Sequence, residues 1–212
     1  MNESNDTSHN AVDYFIERHM QAGHAAWPAI LELGRAPVCY QELQERVAQA
    51  GHCLLSLGVK QEQRVALLMP DCREFVYFFF GALKIGAVAV PLNTYAQLPL
   101  LVEYLRDSRA AALIVDPRYA DTVLALKRAN ALKQVRVISD TVRFSQWPNQ
   151  LTSSPVHADD TAFWLYTSGS TGQPKGVEHR HASLRICAEN YGAQVLRIAP
   201  QDVSFSTSKL FF

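Results

Sequence analysis

Between Arg64 and Ile138 the chain alternates short apolar runs with longer segments of helical periodicity, and this rhythm constrains the fold more than any other feature. Arg64–Met69, Ala87–Leu92, Ala111–Val115 and Gln134–Ile138 read as strands rich in Val, Ile, Leu and Ala. Asp71 to Ile85, Leu98 to Asp107 and Pro117 to Ala131 read as the helices between them, with Asp71 as the cap of the first and Gly86 as its stop. Strands joined through helices form crossovers, and crossovers build parallel pairs. The expected class is therefore α/β, a mostly parallel sheet with helices on both faces.

The flanks extend this unit. Asn10 is placed to cap a helix running to Ala22, with Val12, Phe15, Ile16 and Met20 on one face. Pro28–Leu33 and Ala36–Cys39 around Gly34-Arg35 predict a small hairpin, and Tyr40 to Leu57 a helix stopped by Gly58. The expected organisation is a disordered tail over 1–9, an α/β subdomain over 10–138, a surface connection over 139–158, and the incomplete start of a second subdomain over 159–212. Within the last, Thr161–Thr167 and Val177–His179 read as strands, Ala182–Arg197 as a helix, and Val203–Phe212 as an extended run. An apolar finish at Leu210-Phe211-Phe212 predicts a chain cut within an element, a fragment of something longer.

With 48% hydrophobic and 19% charged residues among 212, a sizeable core is affordable and disorder is excluded as a description of the whole. Twenty basic residues balance twenty acidic ones, which gives no support for a nucleic-acid or membrane partner. Cys39, Cys53, Cys72 and Cys187 lack CxxC spacing and read as buried free thiols of a reducing compartment. Met1 to Asn10 has no apolar signal core, and the longest apolar run, Val76 to Leu83, is too short to cross a bilayer, so a cytoplasmic soluble protein is expected.

The chemistry is concentrated in Phe163 to Val177. An apolar strand, Phe163-Trp164-Leu165-Tyr166-Thr167, runs into Ser168-Gly169-Ser170-Thr171-Gly172-Gln173-Pro174-Lys175-Gly176. Gly169, Gly172 and Gly176 permit positive φ, so successive backbone N–H groups can converge on an anion. Ser168, Ser170 and Thr171 add hydroxyl donors and Lys175 a mobile positive charge. A polyphosphate fits that mixture. Gly/Ser/Thr clusters are often plain turns, and it is the whole run that raises this one above that reading. It is not a Walker A loop: counted from Gly169, Pro174 replaces the second Gly and Gly176 the Ser/Thr.

Other constellations carry less. His179 and His181 have i, i+2 spacing without a third ligand nearby, Asp159-Asp160 reads as turn formers, and Ser168 and Ser170 lack a GxSxG context. The cluster Phe75, Tyr77, Phe78, Phe79, Phe80 reads as core.

Three stretches together resemble the adenylate-forming (AMP-binding) superfamily, which includes acyl- and aryl-CoA ligases, luciferases and peptide-synthetase adenylation domains. Leu165 to Val177 is similar to its phosphate-binding motif, Leu83-Lys84-Ile85-Gly86-Ala87-Val88-Ala89-Val90-Pro91-Leu92 to its second core motif, and Tyr40-Gln41-Glu42-Leu43 to its first. Val90 to Thr94, Ala162 to Thr167 and Lys209 to Phe212 resemble the benzoate-CoA ligase branch. Cys39 and Glu178 depart from the family's habit, the latter setting a carboxylate near the presumed phosphate site.

The resemblance implies that the chain is the N-terminal part of an ATP-dependent carboxylate-CoA ligase. A carboxylate attacks the α-phosphorus of ATP, pyrophosphate leaves, and a thiol, usually coenzyme A, takes the acyl group. Thr167, Ser168, Gly169, Ser170, Thr171 and Gly172 would hold the β- and γ-phosphates, with Mg2+ bridging them and Lys175 supporting the departing pyrophosphate. Phe212 would stand at the edge of the carboxylate pocket. The implied partners are a small carboxylic acid, the remainder of the same domain and a C-terminal domain; homo-oligomerisation is left open. Adenine contacts, a magnesium-binding Glu and a catalytic Lys are expected past residue 212, so the segment alone is expected to be inactive. Two alternatives stand beside this reading: a truncated, non-catalytic anion-binding module, and an adenylation domain that loads a carrier protein.

Overall fold

A computed structural model describes residues 9–139, 142–168 and 174–212. The chain enters through Asn10, whose Oδ1 accepts from the Val12 N–H at 3.1 Å, a local side-chain cap of the first helical turn. Helical backbone follows over residues 11–21, π-helical across Asp13–Glu17 and closing in α1 (Arg18–Gln21). The expected hairpin forms as β1 (Pro28–Ile30) against β2 (Val38–Cys39), antiparallel. Cys39 then caps α2 (Tyr40–Ser56), its Sγ accepting from the Glu42 N–H, and Gly58 turns the chain away at φ 73°.

The alternating region folds as its periodicity predicts. It runs β3 (Arg64–Leu68), α3 (Arg73–Lys84), β4 (Val88–Pro91), α4 (Leu98–Ser108), β5 (Ala112–Val115), a 3-10 turn at Pro117–Tyr119 leading into α5 (Ala120–Arg128), and β6 (Arg136–Ile138). After the segment around Phe144–Gln146 come β7 (Thr161–Ser168), β8 (Pro174–Arg180) and α6 (His181–Cys187), which continues as π-helical turns over Ala188–Val195. One six-stranded sheet has the order β6-β5-β3-β4-β7-β8, parallel except for the β7–β8 hairpin at its end.

Side chains alternate between two cores, as a sheet covered on both faces requires. Val65, Leu67, Ala112 and Ile114 point to the layer of α2 and α3, with Val47, Leu54, Phe78 and Leu83. Ala66, Leu68, Leu113 and Val115 point to the layer of α4 and α5, with Leu101, Leu105, Val123 and Leu126. The helices of the first layer cross closely. A Cβ on Gly81 would stand 2.8 Å from the Ala50 Cβ and 3.0 Å from the Gly51 nitrogen, so the crossing requires a glycine there.

An ion pair joins the N-terminal helix to the end of α3. Lys84 is 2% exposed, and its Nζ donates to Glu17 Oε1 at 2.6 Å. The other Glu17 oxygen accepts from Gln44 Nε2. Residues 142–156 lie against this end of α3: the Ser154 N–H donates to the Lys84 carbonyl at 2.7 Å, Ser153 Oγ donates to Asp13 Oδ1 at 2.6 Å, and Phe144, Trp147 and Leu151 pack on the core.

Two expectations need correction. Asp71 does not cap α3: Cys72 occupies the cap position without a side-chain bond, and the Asp71 carboxylate is committed to the far end of the chain. It accepts from the Leu210 N–H at 3.0 Å and pairs with Lys209 Nζ at 3.2 Å. Val203–Phe212 pairs with no strand among the described residues, and its Val203 and Phe205 are exposed while Phe211 is buried beside Tyr95. The thiols also differ from expectation: Cys53 is buried and pushed up to about 11 by that burial, whereas Cys187 is exposed.

Candidate phosphate-binding site

The β7–β8 hairpin is positioned by packing along its length. Phe163 lies between Phe79, edge-on at 5.5 Å, and His179, stacked at 4.4 Å and 4°. Trp164 covers Gly176 on the neighbouring strand, where an added Cβ would meet the indole at 3.0 Å. Gly176 thus serves close approach and does not use the positive φ its residue type allows. Tyr166 is tied to α4: its ring lies 4.2 Å from Tyr104, and its hydroxyl donates to Asp107 Oδ2 at 2.7 Å. Burial, then the adjacent Asp107 carboxylate, raise the Tyr166 phenol far above its ordinary range, so it stays a neutral donor.

Beyond Tyr166 the register sets Thr167 opposite Lys175 and Ser168 opposite Pro174. Because β7 runs parallel to β4, this loop end of the hairpin emerges at the carboxyl edge of the parallel strands. That is the edge at which open α/β sheets offer ligand sites. Thr167 and Lys175 are exposed there. Gly169, Ser170, Thr171 and Gly172, singled out from the sequence, lie outside the described residues, and of Ser168 only the strand backbone is described. Phe212 is exposed, its ring 4.8 Å from that of Phe211.

Glu178 does not face this end. It pairs with Trp164, four residues back along β7 or roughly 13 Å at about 3.3 Å per residue, and its Oε2 accepts from Thr161 Oγ1 at 3.2 Å. The expected carboxylate near the phosphates is therefore withdrawn toward the opposite end of the hairpin. His179 and His181 also part company. His179 stacks on Phe163, whereas His181, 1% exposed, opens α6 and accepts through Nδ1 from the Ala11 N–H at 3.1 Å. Burial pushes His181 down to about 4, outweighing the opposing pull of Asp160. The bonds of Tyr166 to Asp107 and of His181 to Ala11 were not visible in the sequence, since their partners lie 59 and 170 residues away.

A model of the AMP-binding enzyme family matches residues 17–212. The chain belongs to that family. Its curated relatives include the 4-hydroxybenzoate–CoA/benzoate–CoA ligase of Rhodopseudomonas palustris, 34% identical over 213 residues that cover 96% of this chain and 39% of that protein. The 3-hydroxybenzoate–CoA ligase of Aromatoleum sp. is 36% identical over 215 residues, with 96% and 40% covered. Among solved structures, an anthranilate CoA ligase in complex with anthranoyl-AMP superposes with a TM-score of 0.88 at 32% identity, covering 97% of this chain and 40% of that one. A benzoate CoA ligase from Burkholderia xenovorans gives 0.82 at 30% identity, covering 96% and 41%. The chain spans about 40% of the length of the ligases it matches. Over those residues it shares their α/β architecture. Among the described residues no helix is long and apolar enough to span a membrane.

Proposed function

We propose that this chain supplies the phosphate-gripping part of an ATP-dependent carboxylate–CoA ligase whose acid is aromatic. The observation that carries the reading is the loop end of the hairpin, where Thr167 and Lys175 face each other across β7 and β8 at the carboxyl edge of the sheet, in a chain of the AMP-binding family. The substrate class rests on the names of the relatives, ligases of benzoate and hydroxybenzoates.

In this reading a carboxylate oxygen attacks the α-phosphorus of ATP, the bond to the β-phosphate's bridging oxygen breaks, and pyrophosphate departs with the electron pair. The acyl-adenylate then passes its acyl group to the coenzyme A thiol, and AMP leaves. The chain's own task is electrostatic. Hydroxyls and amides from Thr167 through Gly172 hold the β- and γ-phosphates, and Lys175 offsets the charge that develops on pyrophosphate. Tyr166, fixed by Asp107, holds the strand from which the loop departs. Magnesium is assigned to the nucleotide and not to this chain. Among the described residues no three His, Cys, Asp or Glu converge as ligands, and Glu178 is engaged by Thr161.

Titration of the 212-residue chain with Mg·ATP tests the grip, and benzoate-dependent ATP–pyrophosphate exchange tests the chemistry. Saturable ATP binding that weakens at least tenfold in Lys175→Ala, without exchange above that variant's background, is expected. ATP binding unaffected by Lys175→Ala would remove the role given to the lysine. Benzoate-dependent exchange by the 212 residues would refute the claim that they are insufficient for adenylation.

A further inference from the structure

A second cleft opens on the opposite edge of the sheet, where α4 hands over to β5 and α5 to β6. It has a volume of about 530 Å³. Its cationic lining is Arg106, Arg109, Lys133 and Arg136, with no carboxylate among the lining residues. For a chain with twenty acidic and twenty basic residues this is a local segregation of charge. Six arginines elsewhere, Arg35, Arg46, Arg73, Arg118, Arg180 and Arg185, pair with carboxylates, while Arg18, Arg64, Arg128, Arg143 and Arg197 make no ion pair among the described residues but are scattered singly along the chain. Among the described residues none of the four cleft cations pairs with a carboxylate.

The shape of the cleft is as informative as its charge. Val102, Leu105, Arg106 and Arg109 recur at i, i+3, i+4 and i+7, so α4 offers one face that is aliphatic along its floor and cationic at its end. Ala110, Ala131 and Val135 continue the apolar wall. Basic residues at helix C-termini also complement the helix dipole, which accounts for Arg106 and Arg109 but not for the other two. Lys133 and Arg136 lie outside the helices. Arg109 sits at φ 48°, in the left-handed capping position where glycine is the usual occupant.

We propose that this cleft is a binding site for a small phosphorylated organic molecule, its phosphates held by Arg106, Arg109, Lys133 and Arg136 and its apolar body lying on Val102 and Leu105. The site is separate from the hairpin end, and its occupancy does not depend on the ligase reading.

The test uses the 212-residue chain carrying Lys175→Ala, so that the hairpin site does not contribute, titrated calorimetrically at low ionic strength with ADP, pyrophosphate and adenosine. ADP should bind saturably and more tightly than pyrophosphate, and adenosine not measurably. Arg109→Gly and Lys133→Ala should each weaken ADP at least fivefold. Arg109→Gly should melt no lower than its parent, because glycine relieves the left-handed backbone, and this separates lost binding from lost folding. Absence of saturable ADP binding, affinity unchanged in both variants, or pyrophosphate binding as tightly as ADP would overturn the proposal. ADP binding seen with Lys175 present and abolished by Lys175→Ala would place the anion at the hairpin, sinking this inference while supporting the other.

Discussion

Acidification should loosen the chain through His181, and the magnitude follows from its surroundings. The imidazole is buried at the start of α6, and its Nδ1 accepts from the Ala11 N–H across 170 residues of sequence. A protonated ring has no lone pair to offer that amide, and burial penalises its charge. The unfolded chain takes up the proton near 6.5 and the folded chain only near 4. The unfolded state therefore binds more protons between those values, and stability falls as pH drops through that window. At about 1.4 kcal/mol per pH unit, acidification from pH 7 to 4.5 removes about 2.5 kcal/mol through this group. His181→Asn retains an acceptor for Ala11 and does not titrate. Urea unfolding of both proteins at pH 7 and 4.5 cancels the contribution of the shared carboxylates. The wild-type chain should lose about 2.5 kcal/mol more than His181→Asn over that interval. Equal losses would show that this ring does not carry the proton linkage.

Two further outcomes test the packing. Lys84→Met leaves the half-buried Glu17 carboxylate without its cation and should cost about 1–3 kcal/mol in urea unfolding, whereas Lys84→Met with Glu17→Leu should recover most of it. Gly81→Ala drives a methyl into Ala50 and the backbone of Gly51, and should destabilise by about 1–3 kcal/mol by the same measure, although alanine is the better helix former.

Elements carried by local periodicity were legible. The strands around Val65, Val88, Leu113 and Val137 and the helices between them followed from spacing, and Asn10 and Gly58 ended their helices through local rules. Asp71 shows where local rules stop. Its type and place suit a helix cap, but Lys209 and the Leu210 N–H, brought alongside by tertiary folding, take the carboxylate instead. Glu178 is similar: its position in the chain is close to the loop, yet the hairpin register carries it back to Thr161. The cationic cleft was invisible because its residues come from α4, β6 and the turn before β6, and a balanced total hid their convergence.

By itself the sequence determined the alternation of strands and helices, the two-sided burial of the sheet and the glycine- and hydroxyl-rich chemistry of the run after Tyr166, since each is written in neighbouring residues. Strand order, the pairing of Thr167 with Lys175, the closure of Lys84 over Glu17 and the gathering of unpaired cations at one sheet edge were decided by tertiary structure. These depend on which distant segments share a layer, and that is set by the packing of the whole core and not by any local pattern.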